Sequence, residues 1–200
     1  MQRLLPITTT RTNRRTTTFI TKRLSSKGSL GGGFTQQGLQ QFANRAWNET
    51  QDRDPYTDLF HIKLSAPCNT WLDSHDDPSA ELGKAFFGST RFYPERMLLT
   101  PFLQDKKHLP EEFREGDKFL AWEVTSKSPL ELICSWNLGN TKGFTMMAFD
   151  PKLRRLYHGS CVDRISSERG HFKLLIPFHV IYAKFLLHGM KNVLENKVHE

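Results

Sequence analysis

Two histidines come first among the residues that could do chemistry. His179 lies near the start of an apolar C-terminal stretch and could donate to a ligand or carry a proton, since imidazole titrates near neutral pH. A histidine there could equally be a surface or capping group. His158 sits in a strand-like run, where alternation sets it on the face opposite Tyr157, and the same two roles are open to it. Trp122, Trp136, Met146, Phe178, Tyr182 and Phe185 could line an apolar pocket, or fill a core instead.

Other reactive types fall into no catalytic pattern. His-Glu-x-x-His is missing and His75-Asp76-Asp77 reads as a polar turn before a helix cap, so no metal or other cofactor is expected. Without G-x-S-x-G, and with no cysteine in a nucleophile context, no catalytic residue is assigned and binding is favoured over catalysis. Cys68, Cys134 and Cys161 are odd in number and lack a C-x-x-C pair, which argues against a disulfide framework. Cys134 and Cys161, both in apolar runs, read as small core hydrophobes. Gly28, Gly31, Gly32 and Gly33 follow no strand and precede no G-K-[ST], so they read as a flexible linker.

Several elements must position these residues. Residues 56–64 alternate as a strand, with Phe60, Ile62 and Leu64 on one face. Asp77 and Pro78 form a helix start ahead of Leu82, Ala85, Phe86 and Phe87. A second helical piece is expected over 95–103, then an exposed charged connection over 104–116. From 117 the period becomes two: runs at 118–125, 130–138, 144–150 and 153–165 are joined by short turns, which implies an antiparallel meander. Leu130, Leu132, Cys134, Trp136 and Leu138 share a face that needs an apolar cover. Helix 177–196 is the expected cover, with Pro177 in its first turn and Phe178, Tyr182 and Phe185 toward the sheet. Charged and imidazole side chains interrupt it, so no transmembrane span is expected. The fold class is α+β, a curved antiparallel sheet wrapped around a long C-terminal helix.

The formal net charge of +7 is unevenly spread. Residues 1–50 hold eight bases and one acid, Glu49, whereas 51–200 hold twenty of each. A neutral body lacks the bulk electrostatic attraction behind most nucleic-acid binding, so no nucleic-acid partner is expected. The basic, Thr- and Ser-rich first 50 residues read as a mitochondrial targeting segment and linker, with a plastid address or a basic arm as alternatives. A short helix is plausible over 34–47. The division is 1–50 for that segment and 51–200 for the domain.

Leu82 with Ala85-Phe86-Phe87-Gly88-Ser89, Gly116-Asp117, Leu156-Tyr157 and Ile176-Pro177-Phe178-His179 give the chain a further likeness. Over 58–194 it resembles the START-like, polyketide-cyclase-like (SRPBCC, helix-grip) superfamily. Within it the chain is similar to an uncharacterised domain family also found attached to sugar-nucleotide epimerase-like proteins. The resemblance implies a helix-grip fold with ligand space between sheet and helix, and brings no fixed catalytic set. The expectation is a mitochondrial protein, in the matrix or on the matrix face of the inner membrane, binding an apolar or lipid-like small molecule. The alternative is an accessory subunit of a large mitochondrial, respiratory-type membrane complex, with the fold as scaffold. An enzyme of cyclase or hydratase type is a third reading.

Overall fold

The computed structural model describes residues 56–99, 108–138, 141–162 and 170–199, together with a two-residue strand, Phe19–Ile20. The glycine linker and the 34–47 helix lie outside these residues. In chain order the elements are β1 (Phe19–Ile20), β2 (Tyr56–Lys63), α1 (Ala66–Asp73), α2 (Pro78–Gly88), a 3-10 turn (Thr90–Phe92), α3 (Tyr93–Leu99), β3 (Lys118–Phe119), β4 (Trp122–Ser128), β5 (Glu131–Leu138), β6 (Thr141–Asp150), β7 (Arg155–Val162) and α4 (Gly170–Lys197). All strands join one antiparallel sheet in the order β1-β2-β7-β6-β5-β4-β3. Strands β3 to β7 are the expected meander, and β2 closes it by pairing with β7. The pairing of β1 with Leu59 and Phe60 involves two residues of the segment read as a targeting peptide.

Local signals explain the helix starts. Asp77 caps α2 by accepting from Ala80 N, and Pro78 stands where a missing N–H costs little. Ser65 caps α1 in the same way, accepting from Cys68 N. Helix α1 was not anticipated, although Ser65 followed by Pro67 was its available signal.

One face of the sheet carries the main core. Phe60, Ile62 and Leu64 from the β2 side meet Leu82, Ala85, Phe86 and Phe87 of α2 and Ala183, Leu186, Leu187, Met190 and Leu194 of α4, all buried. Leu132 and Cys134 join them as anticipated, with Leu130 and Trp136 partly buried beside them, whereas Leu138 at the strand end is exposed. The Trp136 ring lies over Gly143, where a Cβ would meet both that ring and the Cys161 carbonyl. The opposite face holds a smaller cluster of Ile133, Phe144, Met146 and Cys161 with Leu59. Cys68, Cys134 and Cys161 are buried thiols.

Three expectations change. Helix α4 begins at Gly170, so Pro177 lies inside it rather than opening it. Its sheet-facing row is 183, 186, 187, 190 and 194, so the apolar stripe is rotated from the one expected: Phe178 is 69% exposed and Phe185 43%. The connection before β3 is not simply exposed, because Phe113 is buried and reaches the Phe87 ring. The run expected as one strand over 118–125 is two, broken where Leu120 turns with a positive φ of 51°. No helix among the described residues is long and apolar enough to cross a membrane.

Polar contacts pin the C-terminal half of α4. Glu195 accepts from Ser65 N at 2.8 Å and from the Ser65 hydroxyl, Lys197 reaches Glu81 at 2.5 Å, and Lys191 donates to the Lys63 carbonyl at 2.9 Å. Further up the helix, Arg91 packs against Gly189, donates to the Phe185 carbonyl at 3.0 Å and sets its guanidinium 4.5 Å above the Phe185 ring.

Candidate functional site

The parity of β2 that sends Phe60 into the core sends Tyr56 and Asp58 to the same face, under the N-terminal half of α4. Asp58 is 1% exposed, and a buried carboxylate needs partners to remain in the core. It has three. Ser160 N on the paired strand β7 donates to Oδ1 at 3.1 Å, the Tyr56 hydroxyl donates to Oδ2 at 3.3 Å, and His179 Nε2 stands 3.2 Å from Oδ2. The Tyr56 and His179 rings also meet edge-on with centroids 6.0 Å apart. Burial, reinforced by the Asp58 charge, pushes the Tyr56 phenol well above its ordinary value, so it acts as a donor.

Three further groups surround this pair. Glu95 of α3 has a solvent-shielded Oε2 with no hydrogen-bond partner. Burial raises its carboxyl to about 7, a rise that the nearby His179 partly opposes. The Tyr182 hydroxyl, one turn along α4 from His179, is likewise shielded and unpartnered, and burial followed by the Glu95 charge raises its phenol. His158 of β7 stands beside Phe60 across the strand pair and against the Phe86 ring, at centroids 5.0 Å apart. Burial lowers it to about 4, so it is neutral, and its Nδ1 has no partner. His179 is the common neighbour: it faces Asp58 and lies within electrostatic reach of both Glu95 and His158.

Of the residues singled out in the sequence, His158, His179 and Tyr182 come together here. Trp122 does not: it is buried among Phe87 and Phe92, with its indole N–H donating to Thr145 at 3.2 Å. Trp136 packs at the edge of the core. Met146 points to the other face of the sheet, because its neighbour Met147 takes the inner position. Phe178 and Phe185 face outward with Ile181, which is 66% exposed. Tyr56, Asp58 and Glu95 were not anticipated. The signal for Asp58 was an acid on the core-facing parity of a strand, and Glu95 reads as an ordinary acid in a first helical turn.

The arrangement can hold a polar group in an otherwise apolar interior. A separate groove of about 380 Å³ along 108–118 shares no residue with it. Among the described residues no group of His, Cys, Asp and Glu is arranged to hold a metal ion. Compared with known proteins, the chain matches no family model, no curated protein and no solved structure.

Proposed function

We propose that the chain is a mitochondrial helix-grip domain of the START-like kind that binds a small molecule with an apolar body and a polar head, without catalysing its conversion. The observation that carries this reading is the set of buried, unpartnered polar atoms on Glu95, Tyr182 and His158 around the Asp58–His179 pair. Shielded polar atoms are costly unless something hydrogen-bonds to them, and a ligand head group under α4 would do so. The antiparallel sheet covered by a long terminal helix agrees with such a fold. Extraction of the purified, folded full chain with organic solvent should release one molecular species in roughly equimolar amount. An extract with no such species counts against the reading.

The mitochondrial address, in the matrix or on the matrix face of the inner membrane, is supported by the base-rich composition of residues 1–50. Fusion of residues 1–33 to a reporter should carry it to mitochondria, and a cytosolic signal would remove this part.

A second reading, an accessory subunit of a mitochondrial complex, is favoured by the stripe Phe178, Ile181 and Phe185 on the outer side of α4. The aromatic filling of the interior by Phe86, Phe87, Phe92 and Trp122 also suits a scaffold. Polar substitutions on the stripe that abolish association with a defined partner, while leaving any bound small molecule in place, would support this role.

A further inference from the structure

We infer that the site under α4 takes a hydroxyl group, as carried by an alcohol, phenol or quinol with an apolar body, in preference to a carboxylate; this rests on the binding function proposed above. The argument begins at His158 Nδ1, which is shielded from solvent and has no partner. With Nδ1 unpartnered, the hydrogen bond that the ring makes to the backbone of Met146 is assigned to Nε2. A neutral imidazole carries its proton on one nitrogen only, so Nδ1 presents a lone pair and needs a donor.

The second and third orphans complete the requirement. The Tyr182 hydroxyl is a donor held in its protonated form, and Glu95, raised by burial to about 7, can donate when protonated and accept in either form. A hydroxyl satisfies both kinds of group at once, donating to His158 Nδ1 and accepting from Tyr182 or Glu95. A carboxylate has no proton for Nδ1, and it would bring a second negative charge beside Asp58, whose carboxylate is wholly buried. A hydrocarbon leaves all three groups as they are.

Titrating the full chain at neutral pH with 1-decanol and with decanoate, which share one chain length, tests this. The alcohol should bind about tenfold more tightly or better, a gap worth roughly one unfavourable charge contact. Tyr182→Phe keeps the ring and removes only the hydroxyl, so it should weaken decanol binding about three- to tenfold and leave decanoate unchanged. Glu95→Leu provides a second variant at an independent position and should act in the same direction. Decanoate binding as tightly as decanol, or decanol affinity unchanged in both variants, would overturn the hydroxyl preference while leaving small-molecule binding intact. Binding of neither probe would overturn both.

Discussion

The carboxylate of Asp58 and the imidazole of His179 stand 3.2 Å apart, joining strand β2 to helix α4 across 121 positions of sequence. Asp58 is wholly enclosed there, while a quarter of the His179 side chain, 26%, still meets solvent. The two halves of the pair therefore contribute unequally. Asp58→Ala should cost about 2–3 kcal/mol, because it strands the Ser160 N–H and the Tyr56 hydroxyl in the interior. His179→Gln should cost under about 1 kcal/mol, since the glutamine amide N–H can still donate to Asp58 while Ser160 N and the Tyr56 hydroxyl keep their acceptor. Urea unfolding of both variants gives the comparison, and equal losses would mean that the pair is not anchored from the strand side.

Stability should change with pH on two opposing limbs. Glu95, raised from 4.5 to about 7 in the fold, is neutral in both states below 4.5, so nothing is lost there. As pH climbs from 4.5 through 7 the unfolded chain ionises first, and stability falls by up to about 3 kcal/mol. His158, lowered from 6.5 to about 4, acts the other way: its contribution is complete above 6.5 and is lost as pH falls toward 4. His61 on the outer face, lowered by burial and then by Arg155 to about 4, adds to that acid limb. Urea midpoints across this range should show Glu95→Gln gaining on the parent chain progressively as pH rises, with the two nearly equal near pH 4.5. Parallel profiles would contradict the buried placement of Glu95.

The rotation of α4 gives a third expectation. Leu187 is fully buried, so Leu187→Ala should cost about 2–5 kcal/mol. Phe178→Ser and Ile181→Ser, at exposed positions, should change stability by less than about 1 kcal/mol. Thermal melts of the three variants distinguish the observed face from one that turns Phe178 toward the sheet.

These differences mark what sequence could disclose. Asp77, Pro78 and the alternation through Phe60, Ile62 and Leu64 were legible because each is a local rule obeyed locally. The face of α4 was legible only in part: Leu186, Met190 and Leu194 are buried and Tyr182 packs against the core, whereas Phe178 and Phe185 share the same helical spacing yet face outward, because the position of α2 and the sheet selects the row. Pro177 misled about the helix start because proline favours a first turn, whereas α4 carries it in its interior despite the lost backbone hydrogen bond and the ring clash that this entails. The candidate site was half legible. His158, His179 and Tyr182 are polar residues in apolar runs, which draws the eye, whereas Glu95 sits amid Pro94 and Arg96 and is distinguished only by coming within electrostatic reach of His179 and Tyr182 of α4.

Binding of a small molecule beneath α4 is tested most directly by native mass spectrometry of the full chain purified from cells without detergent, beside its Tyr182→Phe and Glu95→Leu variants. The account predicts a folded wild-type species heavier than its denatured chain by the mass of one small molecule, with the excess reduced or lost in both variants while neither melts below the parent chain. A wild-type mass equal to that of the bare chain, or a bound molecule that both variants retain in full, would contradict it.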